Sequence, residues 1–202
     1  MEKVEHPGSP ASNDTDGSGP LEPRAGVVGY WDRLVGPTAT PAEQGLTIAT
    51  ASLWTVAVCG YAVDAELGWS ALQFAVVAVI TFDVAGGVTA NATASGRRWW
   101  HRDGRTDVDH FTFVAAHVHP FVLAALFADV TWTAAAIVYT VLLLASTAIL
   151  SVGPSLRRAT ALALFSGWVL FAAYQTILPV GLEWFGTLLA LKLLVSHLVG
   201  GE

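Results

Sequence analysis

Residues 70–96 read SALQFAVVAVITFDVAGGVTANATASG, and this stretch decides the fold. From Ala71 to Val88 it carries a single charge, Asp83, in a run that is otherwise almost wholly apolar. About 20 mainly apolar residues are what a helix needs to cross a hydrocarbon core about 30 Å thick. A carboxylate in the middle of such a run costs about 2.5–3.5 kcal/mol even on insertion-derived scales, so it marks a place to look for function.

Five further apolar runs occupy approximately 45–63, 110–128, 131–153, 159–178 and 182–199. None shows strand alternation, so helices are expected rather than a barrel. The predicted fold is all-α: a polytopic membrane protein, a bundle of six transmembrane helices. The run at 70–96 is long for the core, and must tilt or project beyond it.

Composition agrees. Only 13% of the 202 residues are charged, against about 25% in soluble domains, and mean hydropathy is +0.54. Cys59 is the only cysteine, which excludes an intramolecular disulfide and a paired-thiolate metal site. The formal net charge is −6, and no clustered basic face of the kind nucleic acid requires is present. Arg outnumbers Lys, and Ala, Val and Gly dominate, a composition expected of a GC-rich prokaryotic genome and a cell-membrane protein.

Three parts are expected along the chain. Residues 1–25, rich in Gly, Pro, Ser, Asp and Glu, read as a disordered acidic tail. Residues 26–44 read as an interfacial segment, with Tyr30, Trp31, Leu34 and Val35 around Asp32 and Arg33. Residues 45–202 form the six-helix domain. The basic residues Arg97, Arg98, Arg102 and Arg105 follow the second run, and Arg157 and Arg158 follow the fourth. The loops after runs one, three and five hold no Lys or Arg. Basic loops stay inside, so both termini are expected to be cytosolic. Trp31, Trp99 and Trp100 would then mark the inner interface, and Trp69, Trp132 and Trp184 the outer one.

At 1.5 Å per residue, Asp83 falls roughly 20 Å from the cytosolic end of its helix, Asn91 roughly 8 Å, and His117, His119 and Lys192 roughly 10–13 Å. Asp83, Asn91, His117, His119 and Lys192 are therefore the candidate intramembrane site. Asp83 should be protonated, paired with Lys192, or bound to a cation. His117 and His119 stand about 200° apart on an ideal helix, so they are not expected to face one site. Pro120 should kink that helix and free the Ala116 carbonyl beside His117. Gly86 and Ala90 form a small-xxx-small pair suited to close helix packing, and the same small residues could instead leave room for a ligand beside Asp83. Asp83, His110, His117 and His197 are candidates for a divalent metal, though their spacing matches no established ligand motif. Arg97, Arg98 and Arg102 are candidates for anionic headgroups.

Each residue also has a plainer role open to it. Lys192 can snorkel, His110 and His197 can be solvated at the interface, and interhelical hydrogen bonds alone can fix packing. No phosphate-binding loop, zinc-protease or serine-hydrolase motif occurs, and no cofactor is indicated. Three readings stand in this order: proton- or ion-linked transport through a cytosol-facing polar site, a membrane-embedded and metal-dependent enzyme acting on a lipid or isoprenoid, and a structural or accessory subunit. The bilayer's anionic headgroups and a second copy of the chain are the expected partners.

Overall fold

The computed structural model describes residues 21–174 and 177–200, and all regular structure among them is helical. Apart from 21–25, the expected disordered tail lies outside the described residues. A short helix α1 (Val27–Val35) leads into α2 (Pro41–Asp64), α3 (Ala71–Ala92), α4 (Ala94–Trp100), α5 (Asp107–Ala115), α6 (His119–Leu126), α7 (Trp132–Ser151), α8 (Pro154–Tyr174) and α9 (Glu183–Ala190). The last continues without a break into a π-helical segment, Leu191–His197.

The starts of the long helices are written locally. Thr40 and Glu43 form a capping box with Pro41 behind them. Ser70 and Gln73 do the same for α3, and Thr131 caps α7. Each satisfies backbone N–H groups that the first helical turn leaves open.

Four helices are long and apolar enough to cross a membrane: α2, α3, α7 and α8. The other two expected spans are not single helices. The run at 110–128 is split into α5 and α6, and the run at 182–199 changes from α to π winding after Ala190. The run at 70–96 also stops early, at Ala92, where the Thr93 hydroxyl accepts from the Gly96 N–H and starts α4.

The break at 116–118 has a local cause. Pro120 has no N–H for the Ala116 carbonyl, and its ring crowds that carbonyl. The chain yields by turning. The His117 N–H donates to the Val114 carbonyl instead of continuing the α pattern, and the Val118 N–H donates to Ala116. The Tyr139 hydroxyl on α7 donates to the freed Ala115 carbonyl at 2.7 Å. The expected kink is therefore a full interruption, with α6 restarting at His119.

The interior is built by α3, α7 and the last helix. Val84, Leu142, Ile149, Phe185, Leu189 and Leu193 are all 2% exposed or less. In their most apolar windows α2 and α8 are only 17% and 11% buried, against 33% and 39% for α3 and α7, so α2 and α8 are the outer helices. Their outward side chains, Leu53, Val56, Leu170 and Phe171 among them, form an apolar exterior of the kind that lipid covers.

The basic loops gather at one end of the bundle. Arg157 at the start of α8 makes a two-pronged ion pair with Asp107 at the start of α5, at 2.8 and 2.6 Å. His101, just past α4, donates to the His197 carbonyl at 2.9 Å. The Trp99 indole donates to the Arg33 carbonyl at 2.9 Å. Trp99 is thus 7% exposed and turned into the protein rather than outward.

Candidate functional site

Asp83, Gly87 and Asn91 lie four residues apart on α3, and so form one stripe of its surface. That stripe lines a cavity of about 670 Å³ with mostly apolar walls, whose other sides come from α1, α2, the α5–α6 break and the π segment.

The centre of the stripe is an ion pair. Lys192 Nζ donates to Asp83 Oδ2 at 2.6 Å. The lysine is 3% exposed, whereas the Asp83 side chain is 40% exposed and turns toward the cavity. Gly87 makes this possible. A Cβ there would stand 2.4 Å from Lys192 Cε, inside the lysine stem. Its neighbour serves a different purpose, since a Cβ at Gly86 would meet the Ala51 Cβ of α2 at 3.1 Å. One glycine lets a helix approach and the next admits a charged side chain.

The interruption of the helix brings two histidines to the same wall. Their rings lie 5.4 Å apart, and both line the cavity. The expectation that His117 and His119 face apart fails because it assumed a continuous helix. His119 Nε2 lies 3.8 Å from Asp83 Oδ2. His117 Nδ1 lies 2.7 Å from the Phe113 carbonyl. A carbonyl only accepts, so Nδ1 carries the proton and Nε2 of the neutral ring keeps its lone pair. The Phe113 carbonyl is free for this bond because the His117 N–H has turned to Val114.

Asn91 lies at the end of the stripe and is 4% exposed. Its Nδ2 has no partner among the described residues, and the same is true of Thr47 Oγ1, Trp100 Nε1 and His119 Nδ1, all on residues that line the cavity. A buried polar atom left unpaired costs about 1–3 kcal/mol. These atoms have almost no accessible surface, so they lie behind the cavity wall rather than on it.

The structure does not bring the four metal candidates together. Among the described residues no three His, Cys, Asp or Glu side chains are grouped so as to hold a metal ion. Asp83 and His117 belong to the cavity. His110 and His197 belong to a separate stack, with His110 Nδ1 3.3 Å from His197 Nε2 and the His101 and His110 rings 4.5 Å apart. The Phe113 ring stands between the two groups, lining the cavity on one side and stacking on His197 at 3.9 Å.

The arginine candidates also separate. Arg98 donates to Thr38 and Ser95 hydroxyls at 3.2 and 3.1 Å. Arg102 donates to the Trp99 carbonyl, and its guanidinium lies 3.5 Å from the centre of the Trp99 ring. Only Arg97 of the three faces a cleft, which it shares with Arg157 and Arg158. His101 lies there too. Burial, with Arg157 and Arg97 nearby, holds its imidazole below the usual range.

Several wall residues were not singled out from the sequence as site residues. Trp31, Leu34 and Val35 of α1 cover the cavity, and their i, i+3, i+4 spacing was the available signal. Thr47 and Phe82 carried none. No protein-family model, no curated protein and no solved structure matches this chain.

Proposed function

We propose that this chain is a prokaryotic cell-membrane protein that crosses the bilayer six times, with both termini cytosolic. In this reading α5 with α6, and α9 with its π segment, are the two composite crossings. We further propose that the cavity is the active site of an enzyme that takes an amphipathic small molecule from the bilayer, of the lipid or isoprenoid class.

One observation carries this reading: a cavity of about 670 Å³ with mostly apolar walls whose two charges cancel. Asp83 and Lys192 together offer no net charge, so an ion of either sign gains little there. A molecule with a long apolar body and one hydroxyl gains on both counts, by covering the walls and by donating to the part-exposed Asp83 carboxyl. His117, with Nδ1–H anchored, presents Nε2 as a base. His119 Nε2 and Asp83 Oδ2, 3.8 Å apart, are close enough to attract but not to hydrogen-bond directly, so one water between them is needed for proton exchange.

The apolar walls put proton-linked transport second, although the sequence placed it first. It retains one specific support: Lys192, Asp83, His119 and His117 form a titratable series on separate helical segments around one cavity, a pattern found in proton relays.

The test uses purified protein in nanodiscs, titrated with a panel of isoprenoid alcohols, quinones and fatty acids. Quenching of tryptophan fluorescence is the readout, since Trp31 and Trp100 line the cavity. Saturable quenching that Ala78→Phe abolishes is expected, as is turnover of a bound compound that His117→Ala stops without abolishing its binding. No saturable ligand, combined with pH-driven flux into liposomes that Asp83→Asn removes, would replace this reading by transport.

A further inference from the structure

A second cleft, about 660 Å³, opens at the basic end of the bundle, between the end of α4, the start of α8 and the end of the π segment. Arg97, Arg157, Arg158, Ser155 and His101 line it. Among the described residues their charges are not balanced. Arg157 is neutralised by Asp107, at 2.6 and 2.8 Å. The Arg97 and Arg158 guanidinium groups have no ion-pair or hydrogen-bonding partner among the described residues, although the chain as a whole carries a net charge of −6. Two guanidinium groups without partners in one cleft make it positive, which favours an anion there. The two come from the separate basic loops that the fold draws together, so their meeting is a property of the tertiary structure.

We infer that this cleft binds a phosphate-bearing anion through Arg97 and Arg158. A phosphate group supplies the negative charge that the cleft lacks among the described residues, and its oxygens suit the two-pronged donor geometry of arginine. The Ser155 hydroxyl is a further donor on the same wall. The first turn of α8 adds the partial positive charge of a helix start to the same side. Arg157 is a reserve, since its fork is occupied by Asp107 only as long as that carboxylate is present. The cleft is large enough for a phosphate together with part of the molecule that carries it, which leaves two sources of the same chemistry: an anionic lipid headgroup and a soluble phosphate.

Full-length protein in nanodiscs of neutral lipid is titrated with inorganic phosphate and pyrophosphate, and compared with protein in nanodiscs containing phosphatidylglycerol. The thermal midpoint and calorimetric binding are read. A midpoint raised by the soluble anions in neutral discs identifies a soluble phosphate. A midpoint raised only in the anionic discs identifies a headgroup. In either case Arg97→Gln or Arg158→Gln should weaken the effect by about tenfold, the expected loss of one charge-assisted hydrogen bond. Asp107→Asn should strengthen it by releasing Arg157, and Arg102→Gln, whose guanidinium lies over the Trp99 ring and does not line the cleft, should leave it unchanged. Both cleft arginines are exposed, so folding should tolerate their replacement. No response to either source, or an unchanged response in Arg97→Gln and Arg158→Gln, overturns the inference.

Discussion

The two cavities are nearly equal in size, about 670 and 660 Å³, and opposite in chemistry. The first is walled mostly by apolar side chains and holds a positive and a negative group that cancel at 2.6 Å. The second is lined by three arginines, two of which have no side-chain partner among the described residues. The difference follows from the surroundings of each charge. Deep in an apolar interior an unmatched charge is too costly to keep, so Lys192 is found with Asp83. At a wet helix end a surplus charge is cheap and can wait for a mobile partner. Volume alone would rank the two cavities as equals, and charge balance separates them.

That contrast can be broken most directly at Asp83. Asp83→Asn leaves the Lys192 ammonium buried without its counter-charge, and should lower stability by about 3–5 kcal/mol in denaturant titrations. Adding Lys192→Met should restore most of the loss. A single variant as stable as the parent would mean that the pair does not hold the first cavity neutral. Gly87→Ala tests the same point from the side, because the new methyl would occupy the lysine stem. A loss of about 1–3 kcal/mol is expected in the same titrations, and restoration by Lys192→Ala would show that the clash is with that stem.

The cover of the first cavity should respond to acid. Asp32 accepts the Arg24 backbone N–H and two guanidinium N–H groups at 2.9, 2.8 and 2.6 Å, which fixes the start of α1. The Arg24 side-chain bonds hold the Asp32 carboxyl below the usual carboxylate range despite its burial. The contribution of this clasp is complete above the carboxylate's unfolded-state pKa, and is lost as pH falls through the lowered folded value. Hydrogen exchange in α1 should therefore rise selectively in acid, and Asp32→Asn should exchange fast at neutral pH already. The smallest effect belongs to the second cleft: Arg158→Gln should change folding stability by no more than about 0.5 kcal/mol. A large loss there would mean that the arginine is structural and would erase the contrast.

Much of this architecture is legible in the residues. The apolar runs, the polar starts at Ser70 and Thr131, and the stripe of Asp83 and Asn91 all follow from composition and helical phase. The pairing of Asp83 with Lys192 was one of three ways to accommodate a carboxylate at that depth. Depth arithmetic put the lysine nearer the surface, and its stem, laid over Gly87, spans the difference. The neighbourhood of His117 and His119 was not legible, because phase arguments assume an unbroken helix and Pro120 announces only that something yields. How far it yields depends on Tyr139, from another helix, which satisfies the freed Ala115 carbonyl. Likewise nothing local connects Arg97 with Arg158; that they share a cleft depends on how the fold brings α4 and the start of α8 to the end of the π segment.

The π segment has a consequence of its own. Its i→i+5 hydrogen bonding, seen where the Leu198 N–H donates to the Leu193 carbonyl at 3.2 Å, draws residues five apart toward a common face. An α-helix would set them about 140° apart. Lys192 thus meets Asp83 while Val195, Ser196 and Leu198 border the arginine cleft, so seven consecutive residues are a partition with a different tenant on either side. Removing one residue from this partition would let it rewind as an α-helix, with each of its residues turned by about 100° instead of the smaller angle of the wider π turn. Such a chain would keep its hydropathy but could no longer present its intended side chains to both tenants at once.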